Sequence, residues 1–161
     1  MKAIVVGTSP AFPLIWTEVP TPVPEPNQVR IAVHATAVNR ADLLQRNGLY
    51  PPPPGASPIL GLECSGVIDR VGSDVDPARL GQRVCALLPG GGYAEYACCT
   101  SAHAIPIPNE ITFAQAASLP EAWSTAWLKL VIEGGLKSGE TALIHAGASG
   151  VGSAAVQLCQ L

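Results

Sequence analysis

Between Gln28 and Val38 the apolar residues Val29, Ile31, Val33, Ala35 and Ala37 return at every second position. That is the period of a half-buried strand. Four apolar residues ahead of Gly7, Ala3 to Val6, predict a strand at the start of the chain. Ile59–Val71, Arg83–Leu88, Ala94–Thr100 and His103–Ile107 are further strand candidates, the first interrupted at Gly61 and Gly66. Asn39–Asn47 reads as a short helix with Asp42 in its first turn. Prolines punctuate this half: Pro20, Pro22, Pro24 and Pro26 alternate, and Pro51 to Pro54 run together. Proline lacks the backbone donor a ladder needs, so these stretches are connections. Short strands with Gly/Pro turns predict a small, irregular β-barrel.

The pattern changes near Ile111. Phe113–Leu119 is Ala-rich and helical, and Trp123–Val131 continues as a second helix after Pro120. Gly134-Gly135 breaks it, and Thr141–Ala146 predicts a compact apolar strand. Gly147–Gly152 is a glycine-rich turn, and Ser153–Leu161 is rich in Ala, Val and Leu, predicting a helix. Strand, glycine turn and helix in that order open a nucleotide-binding α/β unit. The fold class expected is therefore mixed α/β, with one domain over residues 1–120 and the beginning of a second over 121–161.

Composition removes several classes. The 161 residues include no apolar run of the length a spanning helix requires, about 18 residues. The short apolar start is too brief for a secretory signal, so a cytoplasmic protein without membrane association is expected. A formal charge of −3 with nine scattered basic residues offers no footprint for nucleic acid. Five cysteines without CxxC spacing predict reduced thiols that pack as small hydrophobes.

The glycine turn carries the clearest chemistry. In His145-Ala146-Gly147-Ala148-Ser149-Gly150-Val151-Gly152 the glycines fall at 147, 150 and 152. Small residues permit a tight turn, and backbone N–H groups at a helix N-terminus can face a pyrophosphate. By itself the turn fits either that role or a ligand-free strand-to-helix connection. The residue that selects NAD or NADP is expected about 20 residues beyond the turn, past Leu161, where the chain is expected to stop inside its second domain. With one strand and one helix of such a unit, the 161 residues alone are expected to bind a dinucleotide weakly or not at all.

Three segments together resemble the medium-chain dehydrogenase/reductase superfamily, in its zinc-free, zeta-crystallin-like quinone oxidoreductase branch. They are Val38-Asn39-Arg40-Ala41-Asp42 with its continuation to Tyr50-Pro51-Pro52-Pro53, Leu60-Gly61-Leu62-Glu63-Cys64-Ser65-Gly66, and the glycine turn. Gly90-Gly91-Gly92-Tyr93-Ala94-Glu95-Tyr96 and Pro120-Glu121-Ala122-Trp123-Ser124-Thr125 are similar to it as well. The resemblance implies a GroES-like irregular β-barrel followed by the start of a Rossmann-type cofactor domain. Zinc-using members carry a Cys where Asn39 stands and a His where Leu62 stands. Asn and Leu supply neither thiolate nor imidazole, so no metal is expected. Glu63 is then expected to hydrogen-bond structurally.

The same resemblance implies NADPH as cofactor and a small-molecule quinone as substrate, in a cleft between two domains of a homo-oligomer. Asn39 is implied near the nicotinamide ribose and Thr125 near the nicotinamide. Gly147, Ala148, Ser149, Gly150, Val151 and Gly152 are implied to cradle the pyrophosphate. Tyr50 is implied on the quinone side as a catalytic donor, and Ser149 either bonds the cofactor or caps its helix. A 2-alkenal or enoyl reductase on the same scaffold stays open, as does a noncatalytic crystallin-like or RNA-binding protein. The histidines read blandly: His34 faces solvent, and His145 makes a local hydrogen bond.

Overall fold

Two strands that open the chain form a separate antiparallel hairpin. In the computed structural model, which describes residues 1–8 and 11–161, β1 (Lys2–Val6) pairs with β2 (Leu14–Glu18). The hairpin joins the main sheet by an Ala3–Ala94 bridge and a hydrogen bond from Ile4 N to Tyr93 O of 2.9 Å. Only β1 announced itself in the sequence. Leu14, Ile15 and Trp16 of β2 are all exposed, so no inward–outward alternation marks the strand.

The main sheet has five antiparallel strands, ordered β6-β3-β4-β5-β7. They are β3 (Gln28–Thr36), β4 (Glu63–Val71), β5 (Arg83–Leu87), β6 (Tyr96–Thr100) and β7 (Ala104–Pro106). The alternation read in β3 is realised: Val29 and Ile31 are fully buried and pack with Ile68, Val84, Ala86 and Cys99. The β3–β4 register slips between Arg30 and Ile31 and again between Val33 and Ala35. Such bulges bend a strand and increase its twist, which curls the sheet into a half-barrel. This is the GroES-like architecture the sequence led us to expect. The strand expected to begin at Ile59 begins at Glu63, because the Ile59–Leu62 carbonyls accept from the backbone N–H groups of Leu88 and Gly91–Tyr93 in an irregular segment.

Helix α1 (Arg40–Arg46) follows β3, and α2 (Phe113–Ala116) closes this part of the chain. Helix α2 is tied to the sheet through Phe113. Its carbonyl accepts from Ser65 Oγ at 2.6 Å, its ring stacks on His34 with centroids 4.4 Å apart, and the Arg83 guanidinium lies 4.8 Å from the ring centroid. His34 is exposed, as its place in the alternation implied, with the Phe113 ring stacked on its own.

The chain divides into two compact units, Met1–Ser118 and Leu119–Leu161. In the second, α3 (Pro120–Trp127) begins with proline at its first position, where the missing N–H has no partner to lose. A π-helical turn, Leu128–Glu133, continues it and carries an exposed Lys129–Glu133 ion pair of 2.7 Å. Helix α4 (Gly150–Leu158) packs Ala154 and Ala155 against Ala126 of α3, with Trp123, Leu130, Ile144 and Leu158 around them.

The strand expected at Thr141–Ala146 is not formed. Among the described residues this segment pairs with no strand, and residues 145–148 are turn. Ile144 still packs inward and Leu143 outward, so the apolar pattern is used without a ladder. A parallel strand is defined by its neighbours, and here no second strand of that kind lies beside it. Among the described residues no helix is long and apolar enough to cross a membrane.

Candidate active site

The junction between β3 and α1 gathers the two buried carboxylates among the described residues of the first unit, Asp42 and Glu63. Asn39 is the N-cap residue of α1 and stands with Asp42 in a capping-box arrangement. The Asn39 side chain faces the Asp42 backbone N–H in that box without a side-chain cap hydrogen bond, and Asp42 N donates to the Asn39 carbonyl at 3.1 Å. The Asn39 amide is engaged elsewhere: Nδ2 donates to Glu63 Oε1 at 2.7 Å. The other half of the box is closed, with Asp42 Oδ2 accepting from Asn39 N at 2.8 Å. That same Oδ2 accepts from the Tyr93 hydroxyl at 2.9 Å, and Oδ1 accepts from Gly61 N at 3.1 Å.

Asp42 and Glu63 are each only 1% exposed. Buried carboxylates are tolerated only when hydrogen bonds replace their water. Three donors do so for Asp42. Burial, and next the bond to Asp42, push the Tyr93 phenol well above its ordinary range, so it remains a donor at neutral pH. Gly61 sits at φ +102, and a Cβ there would lie 2.6 Å from Tyr93 N. Only glycine lets the turn come close enough for its N–H to reach Asp42.

Sequence reasoning singled out Asn39 and, as a structural hydrogen-bonding residue, Glu63, but did not pair them, and it missed Asp42 and Tyr93 as members of the network. Asp42 had a signal, since an acidic residue three positions after an N-cap is the spacing of a capping box. Tyr93 had none, because it meets Asp42 across 51 residues of chain. Leu62, next to Glu63, is buried and apolar. Among the described residues no group of three or more His, Cys, Asp or Glu could hold a metal ion.

The thiols are free and mostly interior. Burial raises Cys64 and Cys85, pushes Cys99 up to about 12 and Cys98 up to about 11. None of these four is a thiolate nucleophile at neutral pH.

Tyr50 lies in the turn after α1, 46% exposed, and no hydrogen bond to its hydroxyl is seen among the described residues. A cavity of about 460 Å³ in the first unit is lined mainly by apolar groups, among them Trp16, Val33 and Val38, together with one side of Tyr93.

Thr125 and the glycine turn lie in the second unit. Thr125 is half-buried on α3. Ser149 is the N-cap of α4, and its Oγ accepts from Gly152 N at 3.0 Å. Of its two readings, the capping role is formed. The N–H groups of Gly150 and Val151 find no acceptor among the described residues, as expected for first-turn donors.

The glycines of the turn differ in what they are for. A Cβ on Gly152 would lie 2.2 Å from Ala146 O, so Gly152 is required by the chain's own packing. A Cβ on Gly147 would meet nothing within 4 Å, so Gly147 faces open space. Ala146 precedes it at φ 53, a left-handed conformation uncommon for a residue with a side chain. Open space, two unpaired N–H donors and the positive end of a helix dipole suit an anion.

Residues 25–109 match the family model described as the alcohol dehydrogenase GroES-like domain. The chain belongs to that family. Its GroES-like fold lies within the medium-chain dehydrogenase/reductase superfamily, a family of oxidoreductases, and the solved structures that resemble it include quinone oxidoreductases and enoyl reductases. One is the CurK enoyl reductase, 31% identical, with a TM-score of 0.87 over 99% of this chain and 51% of that one. Another is a quinone oxidoreductase of Thermus thermophilus, described with its NADPH complex, 32% identical, with a TM-score of 0.81 over 99% of this chain and 49% of that one. A phenolphthiocerol/phthiocerol polyketide synthase of Mycobacterium tuberculosis is 37% identical over 138 residues, which are 86% of this chain and 6% of the synthase. The GroES-like chain thus spans about half the length of the solved structures it matches.

Proposed function

We propose that the protein is a zinc-free, NADPH-dependent reductase that delivers a hydride to a quinone. The observation that carries this reading is the turn before α4, where Gly147 is open and the N–H groups of Gly150 and Val151 have no acceptor. These residues fit a dinucleotide pyrophosphate. Gly147, Ala148, Ser149, Gly150, Val151 and Gly152 would hold it through backbone N–H groups, the Ser149 hydroxyl keeping a proton to donate while its oxygen caps the helix. Asn39 would bind the nicotinamide ribose and Thr125 the nicotinamide, roles that rest on the family resemblance. Residues 1–120 would form the substrate-binding domain and 121–161 the opening of the cofactor domain.

When bound, the nicotinamide supplies the hydride. The residues of the chain position the reactants, exclude water and donate hydrogen bonds, and positioning is effective where the cofactor carries the chemistry. Tyr50, exposed and with its hydroxyl uncommitted, would donate to the oxygen that gains charge as the quinone is reduced. Loss of one such bond is worth roughly 1.5–3 kcal/mol, or about tenfold or more in rate. Tyr50→Phe is therefore expected to lower quinone turnover about tenfold while NADPH affinity is unchanged, read by steady-state kinetics and a binding titration. A fall in NADPH affinity with undiminished turnover would remove Tyr50 from the substrate side.

Zinc is assigned no part, because Asn39 is engaged by Glu63 and Leu62 offers no donor atom. Elemental analysis of the purified protein is expected to find no stoichiometric zinc; about one tightly held zinc per chain would overturn the assignment. An enoyl reductase is the second reading, favoured by the likeness to the CurK enoyl reductase. Parallel assays with a quinone, a 2-alkenal and an enoyl thioester separate the two. An acidic protein without a basic stripe is not proposed to bind nucleic acid, and we propose a cytoplasmic homo-oligomer, tested by fractionation and by light scattering.

A further inference from the structure

We infer that Glu63 is a positioning residue that fixes which end of the Asn39 amide is offered to the cofactor; this rests on the nicotinamide reading above. An asparagine amide has one donor end and one acceptor end, nearly identical in shape, so a ligand meets one or the other according to what holds the group. Here Nδ2 donates to Glu63 Oε1 at 2.7 Å, at the short end of the N–H···O range. Turning the amide over would set Oδ1 against a carboxylate oxygen, two acceptors face to face.

Glu63 is itself held in place. It begins β4, it is 1% exposed, and its own carbonyl accepts from Thr36 Oγ1 at 2.7 Å. The backbone of Asn39 is fixed separately by Asp42. With Nδ2 committed, Oδ1 is the end left to a ligand. It faces Asp42 N in the capping box without a side-chain hydrogen bond, that N–H donating to the Asn39 carbonyl at 3.1 Å. Half-buried Asn39 therefore presents a hydrogen-bond acceptor, which selects a ligand hydroxyl or amide N–H. A ribose hydroxyl is such a group; a phosphate oxygen is not.

The experiment uses the protein that carries this sequence, labelled with ¹⁵N-asparagine, in wild-type form and as Glu63→Gln, Asn39→Ser and the double variant Asn39→Asp with Glu63→Gln. The Asn39 side-chain N–H₂ signal, identified by its loss in Asn39→Ser, is expected to show one strongly downfield proton. That shift should collapse in Glu63→Gln, where either amide can turn over. NADPH should bind Glu63→Gln roughly fivefold to tenfold more weakly, about the worth of one hydrogen bond. The double variant keeps the net charge, lets the new amide at position 63 donate to the new carboxylate at position 39, and again turns an acceptor outward. Its affinity should return to within about twofold of wild type.

An ordinary Asn39 signal in the wild type, or NADPH affinity unchanged in Glu63→Gln, overturns the inference and leaves the nicotinamide reading standing. Failure of the double variant to recover affinity while it melts like wild type also overturns it. Absence of NADPH binding by the wild type, with the downfield proton present and lost in Glu63→Gln, defeats the nicotinamide reading and leaves the Glu63 lock supported.

Discussion

Gly147→Val is expected to leave the protein folded and to weaken NADPH binding on the order of tenfold to a hundredfold, the worth of one or two charge-assisted hydrogen bonds. Gly147 is the open glycine of the turn, where an added Cβ meets nothing within 4 Å, so a side chain there would fill the space an anion would enter. Gly152→Val is the companion experiment with the opposite signature. Its Cβ would lie 2.2 Å from Ala146 O and 2.8 Å from Gly147 Cα, so the turn must move and α4 loses its start. Forcing extra atoms into such a site costs roughly 1–3 kcal/mol. Melting temperature and helical signal should fall with affinity in Gly152→Val, whereas affinity alone should fall in Gly147→Val. If the two variants behave alike, or if Gly147→Val binds NADPH as wild type does, the pyrophosphate is not at this turn.

The second large effect is expected from Asp42→Ala. Removing the carboxylate strands the Tyr93 hydroxyl, Gly61 N and Asn39 N, three donors brought from different parts of the chain to one buried acceptor. A buried donor left unsatisfied costs about 1–3 kcal/mol, so a total of about 3–6 kcal/mol is expected after local relaxation and water entry. That is comparable to the whole stability of a marginal domain, and much of the variant should be unfolded or insoluble. Tyr93→Phe is the milder control, since it removes one donor and strands none; about 1 kcal/mol is expected. Denaturant melts of the two variants decide the matter. An Asp42→Ala protein as stable as Tyr93→Phe would mean that Asp42 is not the hub of this junction.

Much of the fold could be read because it is written in short-range patterns. The alternation of Val29, Ile31 and Val33 marks one face of β3 whatever the rest of the chain does, and β3 stands at Gln28–Thr36. Helix α1 lies between two asparagines within the stretch the sequence assigned to it. Strand β2 escaped because its apolar residues are exposed and follow no period, its existence resting on pairing with β1. Thr141–Ala146 failed in the opposite sense: its residues suit a buried strand, yet strand character needs a neighbour to accept its hydrogen bonds.

For the candidate site the division is the same. Residue types at short spacing determined that Asn39 starts a helix with Asp42 three positions on, that Asn39 and Leu62 are poor zinc ligands, and that a glycine-rich turn leads into a helix, which begins at Gly150 rather than at Ser153. Only the tertiary structure decided which donors reach Asp42, that the Asn39 amide bonds Glu63, and that Gly152 serves packing while Gly147 is left open. The reason is physical. Helix caps and strand periodicity arise from groups a few residues apart, whose geometry the backbone dictates. A buried hydrogen bond between residues 39 and 63, or 42 and 93, depends on the curl of a whole sheet, to which every strand contributes.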